Sequence, residues 1–293
     1  MKTIRGKRAL VTGAASGIGR AISLALAREG ADLYLLDVDG ENLAGAVAEA
    51  GQYGTRVVGR RCDLARPDSI KAAVRSLLQS WQYLDILVNN AGVSYHGKTE
   101  LMSVRQWDWV LGVNLLAPIQ LTRELLPTLL AQEEAHIVNV CSILGLMAIP
   151  RFTAYQTSKF GLVGFSESLR AEYSCRGLGV TALCPGFVRT NIFQTMVDGR
   201  QAKPMRPAPA WMYTSPERVA ARVIKAIHRN QGLVPVTRLA RFLWLVKRLT
   251  PGLWDFASRA RSKKTRRSAG GLCVEPPGSA TPVASSSVTP GIP

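Results

Sequence analysis

Acidic residues are scarce in this chain. Against 37 Lys and Arg it carries 20 Asp and Glu, leaving a formal charge of +17 over 293 residues. Cysteine is sparse as well, with Cys62, Cys141, Cys175, Cys184 and Cys273 scattered and odd in number. That pattern excludes a disulfide framework and points to a reducing, cytoplasmic setting. The three histidines, His96, His136 and His228, lie far apart and form no ligand spacing, so no metal site is expected. No run of eighteen apolar residues occurs, which leaves no segment to span a bilayer as a helix. The basic N-terminus with Lys2, Arg5, Lys7 and Arg8 is no secretory signal, because glycines interrupt the apolar stretch that follows. No internal repeat is evident.

What is present is an alternation of strands and helices. Strand-like runs recur at Ala9–Thr12, Leu33–Leu36, Arg56–Val58, Ile86–Asn89, Ile137–Val140, Thr181–Leu183 and Leu233–Val236, with helical stretches between them. Such alternation implies crossover connections and a parallel sheet. The expected fold is α/β: one Rossmann-like, doubly wound sheet of seven parallel strands. The first strand runs straight into Gly13-Ala14-Ala15-Ser16-Gly17-Ile18-Gly19, and Ile18, Ile22, Ala25 and Leu26 then recur at helical spacing. In strand, glycine turn and helix, glycines let backbone approach a pyrophosphate and the helix N-terminus presents free N–H groups to it. The next strand ends in Asp37, eighteen residues after Gly19, where a ribose-binding acid belongs. A carboxylate there accepts from both ribose hydroxyls and repels a 2′-phosphate. Ser16 and Val38, its neighbours best placed to carry a cation, are neutral. NAD is therefore expected over NADP.

Tyr155 and Lys159 stand four apart, on one face of a helix, with Ser142 thirteen residues upstream of the tyrosine. A neighbouring ammonium favours the phenolate, so the pair is expected to lower the tyrosine pKa and make it a general acid/base. Taken alone, Tyr-x-x-x-Lys favours an ordinary amphipathic helix with an exposed lysine. Joined to a dinucleotide site, it reads as an alcohol–carbonyl oxidoreductase.

These motifs together resemble the short-chain dehydrogenase/reductase family. Thr12-Gly13-x-x-x-Gly17-Ile18-Gly19, Asn89-Asn90-Ala91-Gly92, Asn114, Ser142, Tyr155-x-x-x-Lys159 and Pro185-Gly186 occur in the family's order, over roughly residues 5 to 235. The resemblance implies Tyr155 as catalytic acid/base and Lys159 as its partner and a ligand of the nicotinamide ribose. It implies that Ser142 holds the substrate oxygen and that Asn114 keeps a helix kinked around a water that relays protons to Lys159. Asp63 and Leu64 would meet the adenine, Asn90 would line the cofactor floor, and Pro185, Val188 and Thr190 would border the nicotinamide. Cys141 stands where the family often has Ser, and Thr157 where it often has Ala. The helices near Val104–Gln132 and Ala154–Arg176 resemble the family's dimer-forming pair, which implies a homodimer or homotetramer.

Apolar residues in Ser94–Thr99, Ile143–Arg151 and Phe187–Tyr213 point to a hydrophobic secondary alcohol or ketone as substrate. An NADPH-dependent carbonyl reductase, and a non-catalytic cofactor-binding protein associated with membranes, remain as alternatives. Domain boundaries are expected at 1–235 for the catalytic domain, 236–267 for a basic amphipathic extension and 268–293 for a disordered tail. Between Arg238 and Arg267 there are ten Lys/Arg and one acid, Asp255. Leu239, Phe242, Leu243, Val246 and Leu249 share a helical face there, with Arg241, Lys247 and Arg248 off it. Such a helix suits an anionic membrane surface, or else packs on its own core. Charge without a recognition module gives no specific nucleic-acid partner. From Ser268 onward Pro, Gly and Ser make up fourteen of twenty-six residues, too little apolar material to offset ordering entropy.

Overall fold

A computed structural model of the chain describes residues 1–189, 197–198, 209–250 and 252. Its strands are β1 (Arg8–Thr12), β2 (Asp32–Asp37), β3 (Val57–Arg61), β4 (Ile86–Asn89), β5 (Tyr95–His96), β6 (Ala135–Val140), β7 (Leu178–Cys184), β8 (Phe187–Val188), β9 (Val197–Asp198), β10 (Tyr213–Thr214) and β11 (Leu233–Pro235). Its helices are α1 (Gly17–Arg28), α2 (Gly40–Gly51), α3 (Pro67–Trp81), α4 (Val104–Leu111), α5 (Ala117–Leu130), α6 (Thr153–Tyr173), α7 (Pro216–His228) and α8 (Arg238–Leu249). Seven strands form one parallel sheet in the order β11-β7-β6-β4-β1-β2-β3, as the apolar runs require. β1, β4, β6 and β7 are covered on both faces, which is why they read as continuous apolar runs rather than alternating ones. One face packs Ile22, Leu26, Val219, Val223 and Ile227 from α1 and α7; the other packs Leu77, Trp81, Leu121 and Leu125 from α3 and α5.

Three features depart from the sequence reading. β3 runs to Arg61 rather than stopping at Val58, because pairing with β2 continues through Asp37 and Arg61. As an edge strand it has no need of apolar residues there. Two short parallel pairs, β5 with β9 and β8 with β10, lie outside the main sheet. The long helix near Val104–Gln132 is interrupted: Gly112–Leu116 forms a π-helical stretch between α4 and α5.

Contacts divide the chain into Met1–Val246 and Lys247–Pro293. The first unit thus reaches beyond residue 235, since Ala240 is buried and Trp244 packs against Cys141, Leu162 and Cys184. The residues of α8 are not sorted into one buried and one solvated face. Leu239 and Leu243 are partly covered, whereas Phe242 and Leu245 are exposed beside Arg238 and Arg241. Among the described residues no helix is long and apolar enough to cross a membrane, and no cluster of side chains could hold a metal. The expected tail at 268–293, Thr190, and the loop residues Ile192, Phe193 and Met196 lie outside the described residues.

Candidate active site

The sheet order reverses between β1 and β4: from β1 the chain proceeds through β2 to β3, then returns to place β4 on the other side. A crevice at the carboxyl ends of strands forms at such a point. Gly13, Asp37, Asn90 and Cys141-Ser142 all follow directly on, or end, strands that point into it.

The glycine loop is shaped by close approach. Gly13 has φ +65° and Gly17 φ +53°, values that side chains with a Cβ rarely adopt. A Cβ at Gly19 would lie 1.9 Å from the Gly13 carbonyl oxygen, so only glycine lets the first turn of α1 sit against the loop. Thr12 and Asn90 fix this arrangement from β1 and β4. The Asn90 side-chain amide donates to the carbonyls of Thr12 (2.9 Å) and Gly13 (3.1 Å), and Thr12 Oγ1 accepts from the N–H groups of Asn90 and Ala91. Asn90 therefore builds the floor by holding the loop. Ser16 caps α1 in position only, with no side-chain bond to the helix, which leaves the N-terminal N–H groups of α1 to an anion. Ile18 packs against the core behind the loop.

Asp37 accepts from Ala15 N–H (2.9 Å) through one carboxylate oxygen and from Asp39 N–H (3.0 Å) through the other. Each oxygen keeps a lone pair for a ribose hydroxyl. Asp63 accepts from Ala65 N–H at the end of β3, beside the half-buried Leu64. These groups fit an adenosine dinucleotide: a loop that no Cβ could enter, a helix N-terminus, and a carboxylate at the second strand.

A cation near Asp37 had no signal in local sequence, yet the structure supplies one. Arg61 lies opposite Asp37 in the β2–β3 register, and its Nε donates to Val38 O at 3.0 Å. Twenty-four residues separate the two in the chain, and only strand pairing brings them together.

Ser142 (8% exposed) follows β6 and its hydroxyl accepts from Leu144 N–H. Lys159, 3% exposed, donates from Nζ to Val140 O at 2.9 Å and lies 5.7 Å from the Tyr155 ring centroid. Asn114 sits in the π-helical stretch with no solvent exposure. Its Oδ1 accepts from Val93 N–H, and its Nδ2 donates to Val93 O (2.8 Å) and Ser158 Oγ (3.1 Å). A Cβ added to Gly92 would lie 3.4 Å from Asn114 Oδ1 and 3.5 Å from Lys159 Nζ, so both groups flank one bare glycine. The structure thus brings Asn114 and Lys159 together at Gly92, with the Tyr155 ring beside Lys159. Pro185 accepts from Ile143 N–H at 2.7 Å, closing the rim, and Val188 is buried where β8 meets β10.

One expectation fails here. Lys159 does not lower the tyrosine: burial pushes Tyr155 up to about 12, and Ser142 opposes this only in part. The ammonium is directed to Val140 O, and its own pKa falls through burial. Desolvation disfavours both charged forms. The apolar loop Ile143–Arg151 is also partly structural, since Leu146 and Met147 are buried and Leu146 packs with Leu162 and Val163.

An α/β fold with a dinucleotide crevice and a Ser–Tyr–Lys group defines a class of nicotinamide-dependent oxidoreductases. The short chain dehydrogenase model matches residues 7–201, and the chain belongs to this family of NAD(P)-dependent enzymes. It is 33% identical over 221 residues to the 3-oxoacyl-(acyl-carrier-protein) reductase FabG of Thermotoga maritima, covering 75% of this chain and 90% of the relative. The oxidoreductase UcpA of Escherichia coli is 36% identical over 248 residues, covering 83% and 89%. A short-chain dehydrogenase/reductase from Burkholderia phymatum, solved in complex with NAD, superposes with a TM-score of 0.76 at 28% identity, covering 87% of this chain and 97% of that one.

Proposed function

We propose that the protein interconverts a hydrophobic secondary alcohol and its ketone, with Tyr155 as the proton-exchanging group. The observation that carries this reading is Tyr155 beside Lys159, whose Nζ lies 5.7 Å from the phenol ring centroid, with Ser142 acting to lower the phenol's pKa against the effect of burial. A bound nicotinamide supplies or receives the hydride at this site. Ser142 holds the substrate oxygen, and Tyr155 gives a proton to that oxygen or takes one from it. A hydroxyl with a pKa near 12 stays protonated at neutral pH, which suits it to donate in the reductive direction. In the oxidative direction Tyr155 must first lose its proton. Asn114 bonds Val93 and Ser158 and lies with Lys159 against Gly92, where it acts as a positioning residue.

Asp37 supports NAD as the main cofactor, since its carboxylate is aimed at the glycine loop where the ribose belongs. The relative described as a 3-oxoacyl reductase keeps an NADPH-dependent carbonyl reductase in view. Partial burial of Ile143, Leu144 and Ile149, with the Phe187 and Tyr213 rings tilted against each other at 5.8 Å, supports an apolar substrate side. Exposed Leu116 and Phe160, on neighbouring helical segments, support a homodimer through these helices. The four described cysteines are free thiols, consistent with a reducing, cytoplasmic placement. Phe242 and Leu245, exposed beside Arg238 and Arg241, support contact with an anionic membrane surface.

The deciding experiment pairs Tyr155→Phe with a panel of secondary alcohols and ketones, read by NADH absorbance. Turnover is expected to vanish while dinucleotide binding persists. Near-normal turnover in that variant would refute the assignment. Co-sedimentation with phosphatidylserine vesicles tests the membrane contact. Phe242→Glu and Leu245→Glu should each leave more protein in the supernatant, and unchanged pelleting defeats that part.

A further inference from the structure

The helix after the last strand carries apolar residues on both of its sides. On one side Ala240 is buried, and Trp244, four residues on, packs against Cys141, Leu162 and Cys184. On the other side Phe242 (61% exposed) and Leu245 (38% exposed) stand three apart. Arg238 and Arg241, both exposed, lie four residues before each of them in turn, so the four side chains form one patch. No acidic residue occurs in α8.

The covered side rests on the wall of the active site. Cys141 immediately precedes Ser142, and Leu162 follows Lys159 by three residues on α6. Cys184 precedes Pro185, whose carbonyl accepts from Ile143 N–H. The start of α8 is tied to the same place. Val236 N–H donates to Cys184 O at 3.1 Å, and Thr237 Oγ1 caps the helix by accepting from Ala240 N–H at 3.0 Å. A Cβ on Gly186 would lie 3.6 Å from that same Thr237 oxygen. From Thr237 to Trp244, α8 is a strap over the ends of β6 and β7.

We propose that α8 is a lipid-responsive strap: an anionic membrane surface takes the Arg238, Arg241, Phe242 and Leu245 patch and thereby clamps Trp244 over the Cys141–Cys184 wall, raising activity. An interfacial helix sinks its apolar residues about 5–10 Å into the headgroup region. Phe242 and Leu245 can do so while Ala240 and Trp244 stay on the core, so the two contacts do not compete. An opened strap loses the Thr237 cap and the tie to Cys184, and meets the surface without a fixed patch. A surface that prefers the closed strap shifts the population toward it. This rests on the membrane contact proposed above and adds to it a coupling to the catalytic residues.

Cys141 and Cys184 report the strap without any substrate, because both thiols are buried and Trp244 packs against them. Their labelling by N-ethylmaleimide, resolved residue by residue with mass spectrometry, is followed in the full chain with phosphatidylserine or phosphatidylcholine vesicles. At a phosphatidylserine concentration ten times the pelleting midpoint, binding confined to the closed strap slows labelling about tenfold. Phosphatidylcholine should leave the rate unchanged. A Phe242→Glu/Leu245→Glu double variant, altered only on the exposed side, should label at the unaltered protein's rate in buffer and ignore both lipids. Turnover of an alcohol from the panel above should rise with phosphatidylserine in the unaltered chain alone. If protein that pellets with phosphatidylserine labels no more slowly, or turns over no faster, the coupling is overturned while the membrane contact stands. Equal slowing by both lipids overturns the anionic assignment. If the unaltered protein does not pellet, the membrane contact itself falls and takes the strap with it.

Discussion

Acid should destabilise this protein through one residue far from the active site. His136 lies on β6 with 1% exposure, and burial lowers its pKa from 6.5 to about 3, with further lowering from the amino-terminal ammonium and Arg170. Thr181 Oγ1 gives its proton to Gln231 O at 2.6 Å, so it must accept from His136 Nε2–H at 2.8 Å. Nδ1 is then the unprotonated nitrogen, and it faces Gly179, where an added Cβ would come within 2.3 Å. A second proton would place a charge on a fully buried ring. The folded state therefore refuses a proton that the unfolded chain takes below about pH 6.5. Stability is fully present above that pH and is lost as pH falls from 6.5 toward 3. Between pH 7.5 and 5.0 linkage gives a loss of about 2 kcal/mol, and about 4 kcal/mol by pH 3. That is a large part of a typical domain's stability of about 5–15 kcal/mol. Urea unfolding followed by fluorescence at pH 7.5 and 5.0, on the unaltered protein and on His136→Gln, isolates the effect. Glutamine can still donate to Thr181 but does not titrate. The unaltered chain should lose about 2 kcal/mol more than the variant on acidification. Equal losses would show that His136 charges in the folded state and that the buried-neutral assignment is wrong.

Other expectations follow from the same geometry. Gly19→Ala should cost dinucleotide affinity at least about tenfold, because its Cβ would displace the Gly13 carbonyl; fluorescence titration with NADH checks this. Asn114→Ala leaves Val93 N–H and C=O without their side-chain partner and should lower stability by about 2–4 kcal/mol, read as a fall in urea midpoint. In the protein without dinucleotide, ultraviolet titration should show no Tyr155 ionisation below pH 10, with Tyr155→Phe as reference; ionisation near neutral pH would reinstate the lysine-lowered phenol. Trp81→Ala removes a fully buried indole from the contact with Tyr34 and Leu77 and should cost about 3–5 kcal/mol by the same unfolding assay.

Local pattern was enough for most of the fold and the dinucleotide cradle. Continuous apolar runs marked the central strands because burial on both faces demands them, and glycine spacing marked the loop because backbone sterics allow nothing else there. Tyr155 and Lys159 were legible because helical geometry fixes i, i+4 neighbours, and Ser142 through the family resemblance. The end of β3 was not legible: Gly59-Arg60-Arg61 carries no strand pattern, and its extension depends on pairing with β2 at the sheet edge. The π-helical stretch was legible only as the kink that the family resemblance assigns to Asn114, whose bonds there go to Val93 and Ser158, residues distant in sequence.

Sequence alone therefore marked the glycine loop, the Tyr155–Lys159 spacing and the alternation of strands and helices, because these follow from short-range stereochemistry and hydrophobic period. Tertiary structure alone decided their chemistry. Burial sets Tyr155 and Lys159 against ionisation, and strand register puts Arg61 beside Asp37. Desolvation and Coulomb forces act across space, between residues whose separation along the chain says nothing of their distance.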